Sequence, residues 1–261
     1  MNPDKHLPYY QNFKQKKRFS QVFLKDYSAV SEIFDNLDLK GKCVVEIGAG
    51  EGVITKVLAK KAKKVLAIEI DPELCKILSS NMKKSKNVEV VCADALQASL
   101  NYPVVIGFIP YHISSPLIFK ILGSSFEEAL LCVQKEFADR LVASPGTSDY
   151  SKLSVMSQSK ADITYLATVP ASAFSPVPKV DSALVYLVKK KQAALNEALI
   201  SALFQHKNQT IKNAIMHSLK NLNIGPETAK QFLSKVDSSK RARTLSIVEL
   251  ERVCTIYDTL N

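Results

Sequence analysis

From residue 42 to residue 133, short apolar runs of strand character alternate with segments of helical spacing. That alternation is the strongest constraint on the fold. Residues 42–48 read as a strand, 53–62 as a helix and 65–70 as a second strand. Residues 72–84 follow as a helix opened by Pro72, and 88–94 as a strand. A strand at 104–109, a helix at 115–122 and a strand at 129–133 complete the series. Strands separated by helices at this spacing form βαβ units, which predicts a parallel sheet covered on both faces. Residues 162–170 and 182–188 break the pattern, because only a proline-rich loop lies between them. They are expected as an antiparallel pair at the sheet edge. Beyond Lys189, Lys190 and Lys191 the apolar spacing is helical, interrupted near Gly225-Pro226 and across 238–243. This predicts about four helices. The expected organisation is a basic N-terminal segment (1–26), an α/β domain (27–189) and a helical domain (190–261).

The first strand runs into Glu46-Ile47-Gly48-Ala49-Gly50-Glu51-Gly52. A glycine-rich turn at this point lets the backbone approach a ligand at the carboxyl ends of the strands. Two ligand classes compete for it. A dinucleotide needs GxGxxG, with its pyrophosphate on a helix N-terminus. Here the spacing is GxGxG, and Glu46 and Glu51 add negative charge, which disfavours pyrophosphate and suits a cationic centre such as a sulfonium. Glu69 ends the second strand about 20 residues past the glycines, where an acid binds ribose hydroxyls. Asp94 ends the third strand, placed to accept from an adenine amino group. A lone acid in such a place is commonly a turn or helix cap. Two acids and a glycine turn, each at the carboxyl end of its strand, indicate an adenosine-containing cofactor, S-adenosylmethionine ahead of NAD.

The chain of 261 residues has 46% apolar and 23% charged residues, ordinary for a globular protein, but its net charge is +10. That balance favours a polyanionic partner, either nucleic acid or an anionic surface. No apolar run reaches the ~20 residues of a membrane span, and the polar, basic N-terminus lacks the apolar stretch of a secretory signal. No membrane partner is expected, and the expected location is cytoplasmic. The five cysteines are scattered, with no CxxC pair. Cys43, Cys92 and Cys132 lie in apolar runs, where cysteine behaves as a small hydrophobe. Neither a disulfide nor a metal site is expected.

After the fourth strand comes Gly107-Phe108-Ile109-Pro110-Tyr111-His112-Ile113-Ser114-Ser115-Pro116. Here the chain resembles the rRNA adenine dimethyltransferases, the small-subunit enzymes and their erythromycin-resistance relatives, whose motif is Asn-(Leu/Ile)-Pro-Tyr. The likeness begins at Arg18-Phe19-Ser20-Gln21-Val22-Phe23-Leu24 and returns at the glycine turn and at Glu69-Ile70-Asp71. It is strongest at Phe174-Ser175-Pro176-Val177-Pro178-Lys179-Val180-Asp181-Ser182-Ala183. Two C-terminal signatures follow, Phe204-Gln205-His206-Lys207-Asn208 and Arg241-Ala242-Arg243-Thr244-Leu245-Ser246, more archaeal or eukaryotic than bacterial in character.

The resemblance implies a Rossmann-like S-adenosylmethionine-dependent methyltransferase fold with a small all-α C-terminal domain, acting as a monomer. It also implies dimethylation at N6 of two adjacent adenines near the 3′ end of small-subunit rRNA, coupled to ribosome assembly, with S-adenosylhomocysteine as product. Gln21, Leu24, Gly48, Gly50, Glu69, Ile70, Asp94 and Ala95 would hold the cofactor, and Pro110 and Tyr111 the flipped-out base. Lys16, Lys17, Arg18, Phe174, Lys179, Lys207, Arg241 and Arg243 would meet RNA, with phosphate neutralisation giving salt-sensitive affinity.

Three positions depart from the family. In the entry segment Ser20 and Val22 replace a glycine and an amide or imidazole. More consequentially, Phe108 stands where the family has the asparagine whose side-chain oxygen accepts an amino hydrogen of adenine. Phenylalanine offers no acceptor, and one lost preorganised hydrogen bond costs roughly 3–4 kcal/mol of transition-state stabilisation. The alternative is therefore a weakly active or inactive ribosome-assembly or RNA-binding factor on the same fold. An antibiotic-resistance enzyme acting on large-subunit rRNA is a third reading, and a NAD enzyme a distant fourth.

Overall fold

The computed structural model describes residues 22–191 and 193–260. The described chain divides into two compact units, 22–138 with 163–189, and 139–162 with 190–260.

The first unit is organised by a seven-stranded sheet in the order β4-β3-β2-β5-β6-β9-β7. Its members are β2 (Cys43–Ile47), β3 (Lys64–Glu69), β4 (Val88–Cys92), β5 (Val104–Phe108), β6 (Glu128–Gln134), β7 (Ala161–Val169) and β9 (Ser182–Lys189). β2 pairs in parallel with both β3 and β5, so strand order reverses there and a crevice opens at the carboxyl ends of the strands. β2, β5 and β6 are buried over almost their whole length. This is why they read as unbroken apolar runs rather than as alternation. β9 lies antiparallel against β6, with β7 beyond it at the edge. Helices α2 (Val53–Lys61), α3 (Pro72–Met82) and α4 (Ser114–Gly123) connect the strands. Asp71 caps α3 by accepting the Glu73 N–H at 3.0 Å, and Pro72 occupies the first turn, where its missing N–H costs nothing.

Two short features were not visible in the sequence. Helix α1 (Ser31–Asp35) places Phe34 in the core, 1% exposed. β1 (Phe23–Leu24) pairs antiparallel with β8 (Phe174–Ser175), two residues on two. The backbone N–H groups of Lys25 and Asp26 extend this contact by donating to the Ala173 carbonyl. The entry segment is thereby tied to the proline-rich loop.

One expectation is corrected. Cys75 and Cys92 are joined as a disulfide, the only one among the described residues, with Cα atoms 5.7 Å apart. Parallel pairing sets Cys92 beside Glu69, and the first turn of α3 returns Cys75 to the same place. Local sequence does not encode that juxtaposition.

The second unit contains α5 (Lys135–Val142) from Asp139 onward, α6 (Lys152–Gln158), α7 (Glu197–Gln205), α8 (Ile211–His217), the single turn α9 (Leu219–Leu222), α10 (Pro226–Lys235) and α11 (Ile247–Asp258). Residues 139–162 thus group with the C-terminal helices. Tyr150, fully buried, donates its hydroxyl to the Leu245 carbonyl at 3.0 Å and meets the Phe204 ring edge-on at 5.7 Å. Asn196 caps α7, Thr210 caps α8, and Ser246 with Glu249 forms a capping box on α11. Tyr150→Phe strands a buried carbonyl, so unfolding in urea is expected to show a loss of about 1–3 kcal/mol.

Candidate active site

The site is built around the turn after β2. Gly48, Gly50 and Gly52 have φ of +71°, +56° and +93°, the left-handed region that disfavours side chains. The N–H groups of Gly48 and Ala49 both donate to the Ile68 carbonyl, at 3.0 and 3.2 Å. A Cβ on Gly48 would lie 2.8 Å from the backbone oxygen of Phe108, so the turn and the end of β5 are in backbone contact.

Glu69, 7% exposed, joins this turn to the next. One carboxylate oxygen accepts the Gly50 N–H at 2.9 Å, and the other accepts those of Ile70 and Asp71 at 2.9 and 3.0 Å. Burial raises its pKa, while these three N–H groups favour the ion. A carboxylate has about four acceptor sites, so capacity for a ribose hydroxyl remains. Asp94 gives one oxygen to the Leu96 N–H at 2.8 Å, a local turn, and retains further acceptor capacity.

Glu46 and Glu51 are 3% and 5% exposed, and each has a carboxyl oxygen with no hydrogen-bond partner. Both line the same cavity as Gly48, Glu69, Ala95 and Leu24. Burial pushes Glu46 up to about 8 and raises Glu51. These buried carboxyls line the cavity, and a ligand carrying positive charge would favour their ionised forms. This is the fit expected of a sulfonium or an ammonium group. Ile70 is 42% exposed at the cavity mouth.

The same cavity is lined by Pro110 and Tyr111, where the chain turns after β5. The Tyr111 hydroxyl is 2.8 Å from the hydroxyl of Ser182, which is fully buried at the start of β9. This bond anchors the tip of a half-buried ring. Ser182 is a residue the sequence motif contained without marking its role. The Pro110 carbonyl accepts the Ile113 N–H at 3.1 Å, and the Ile109 N–H donates to the Cys132 carbonyl at 2.9 Å. His112 is exposed on the same turn.

The Phe108 ring enters an aromatic cluster. It stacks on Phe34 at 6.0 Å with an interplanar angle of 23° and meets Phe174 edge-on at 6.4 Å. Phe174 is 3% exposed, so its ring faces this cluster rather than solvent. The wall at β5 is therefore apolar.

Gln21, Lys16, Lys17 and Arg18 lie outside the described residues. Lys179 is exposed on the loop between β8 and β9. In the second unit, Lys207 donates to the carbonyls of Ser148 at 2.7 Å and Tyr150 at 3.1 Å, which anchors the 144–150 loop. The Arg243 N–H donates to the Lys207 carbonyl at 3.4 Å, and the Gly146 N–H to the Arg243 carbonyl at 2.7 Å. Arg241, exposed, bridges to Thr210. Lys207, Arg241 and Arg243 thus gather at one place in this unit.

A family model described as ribosomal RNA adenine dimethylase matches residues 12–259. The chain is 38% identical over 267 aligned residues to the probable ribosomal RNA small subunit methyltransferase A of Methanococcus aeolicus, covering 95% of this chain and 98% of that one. It is 40% identical over 235 residues to the protein of that name from Methanococcus maripaludis strain C6, covering 86% and 89%. Among solved structures it resembles a dimethyladenosine transferase from Plasmodium falciparum, with TM-score 0.81, 29% identity and coverage of 91% and 98%. It also resembles the 23S rRNA methyltransferase ErmE, with TM-score 0.68, 29% identity and coverage of 90% and 99%.

Two outcomes are expected. Gly48→Ala combines a left-handed backbone with a clash against β5, so it should cost at least about 1–3 kcal/mol in urea denaturation and weaken ligand binding in calorimetric titration. The folded protein holds the Glu46 proton up to about 8, whereas the free carboxyl releases it near 4.5. This contribution to stability is therefore complete below 4.5 and is lost as pH rises through about 8. Glu46→Gln should flatten the fall of urea stability across that window; an unchanged slope would rule the assignment out.

Proposed function

Because this chain belongs to the ribosomal RNA adenine dimethylase family, we propose that it dimethylates N6 of two adjacent adenines near the 3′ end of small-subunit rRNA, using S-adenosylmethionine, during assembly of that subunit. The observation that carries this reading is one cavity lined by Glu69, by the buried carboxyls of Glu46 and Glu51, and by the Pro110-Tyr111 turn. The cofactor, when bound, supplies an electrophilic methyl group on a sulfonium and is released as S-adenosylhomocysteine.

The chain's own residues position the reactants. Glu69 orients the ribose, and Glu46 and Glu51 favour the cationic end. Asp94 accepts from the adenine amino group of the cofactor. Tyr111, anchored at its hydroxyl by Ser182, stacks on the acceptor base, and the backbone around Ile109 and Pro110 accepts an amino hydrogen. Catalysis of this kind rests on proximity and alignment, and the base must leave its stack to reach the methyl group.

Every relative described above is named a methyltransferase or transferase, which favours the enzyme over the assembly-factor alternative. Among the described residues no helix is long and apolar enough to cross a membrane. Small-subunit rRNA, a monomeric state and a cytoplasmic location complete the reading. Of the cations expected to meet RNA, Arg241 and Lys179 are described and exposed.

Phe108 lowers the rate without changing the reaction class. Phe108→Asn should raise single-turnover transfer of labelled methyl to assembling small subunits by about 10-fold or more, within the ~100- to 1,000-fold worth of one preorganised acceptor. It should also lower thermal stability through lost ring packing. Equal rates for the two proteins would refute the role given to position 108. Absence of any melting shift with saturating S-adenosylmethionine would refute the enzyme reading itself.

A further inference from the structure

We propose that Cys75 and Cys92 are a reversible redox modification site that sets the affinity of the adenosyl pocket, a proposal that rests on the cofactor reading above. Cys92 ends β4, an edge strand, and is exposed, whereas Cys75 is 6% exposed in the first turn of α3. Their Cα separation of 5.7 Å lies within the range that a disulfide spans without backbone movement.

The location gives the pair its consequence. Cys92 is the register partner of Glu69, and the Ala93 N–H donates to the Glu69 carbonyl at 2.9 Å. The Cys75 N–H donates to the carbonyl of Asp71, itself tied to the Glu69 carboxylate. One sulfur therefore follows the Glu69-Ile70 turn and the other precedes Asp94-Ala95. These are the two segments that close on the ribose and the adenine. The remaining cysteines, Cys43, Cys132 and Cys254, are free, and the last two are buried.

Unequal exposure assigns an order to the exchange. The Cys92 thiolate attacks an oxidised low-molecular-weight disulfide, such as glutathione disulfide, and expels one thiol. The Cys75 sulfur then attacks the Cys92 sulfur of the mixed disulfide and expels the second. Two protein thiols become one disulfide, the oxidant becomes two thiols, and the two protons pass to the leaving thiolates. Excess reduced thiol reverses both steps. Closing this loop restricts the Glu69 and Asp94 segments before ligand arrives, so less ordering remains for binding to impose. The oxidised form is the tighter binder.

The test uses the full chain equilibrated across ratios of reduced to oxidised glutathione. Alkylation and peptide mass mapping quantify the Cys75–Cys92 link, and calorimetry gives the affinity for S-adenosylhomocysteine. The oxidised protein should bind about three- to tenfold more tightly than the reduced one, the scale of a modest preorganisation gain. Cys92→Ser, an exposed and conservative change, should match the reduced protein and ignore the redox ratio. Failure of the link to form at any ratio overturns the proposal, as does a link that leaves the affinity unchanged. Absence of S-adenosylhomocysteine binding in both forms overturns the pocket reading and this proposal together.

Discussion

The Glu69 carboxylate accepts three backbone N–H groups from two turns, and the cavity takes its shape from that convergence. One turn is the glycine loop after β2, and the other leads from β3 into α3. Neither is held by apolar packing alone, since each consists of backbone polar groups brought close together at the ends of strands. A buried acid with three donors satisfies those groups and fixes the distance between the two turns. Removing it would leave buried N–H groups unpaired, an expensive outcome in a site of low dielectric.

Around this hub the charge arrangement is uneven. Three acids, Glu46, Glu51 and Glu69, are buried and line one cavity, yet only Glu69 has donors on both carboxylate oxygens. The other two retain unsatisfied oxygens and raised pKa values caused by burial. The aromatic cluster of Phe108, Phe34 and Phe174 lies in the same unit, and Phe108 and Phe174 line the same cavity as the three acids.

The α/β order and the glycine turn were readable because β2, β5 and β6 are buried on both faces and so appear as continuous apolar runs. The acids at strand ends were readable from spacing. The β1–β8 pairing was not, since two-residue strands carry no periodicity. Ser182 escaped because a hydroxyl at the start of an apolar strand resembles any turn residue until Tyr111 is seen against it. Phe174 and Lys207 sit in motifs that suggest RNA contact. In the fold one is buried in an aromatic cluster and the other spends its ammonium on two carbonyls. Cys75 and Cys92 stand 17 positions apart, and only the β3–β4 register and the turn of α3 bring them together.

The approach of Gly48 to β5 is made by the carbonyl of residue 108, not by its side chain. The two functions of that position are consequently separable. Its backbone abuts the glycine turn whatever side chain is attached, while the ring packs on Phe34 and Phe174. A change of side chain at 108 therefore alters the cavity wall without disturbing the glycine turn next to it. Position 48, by contrast, has no such freedom, because no side chain fits between the two backbones.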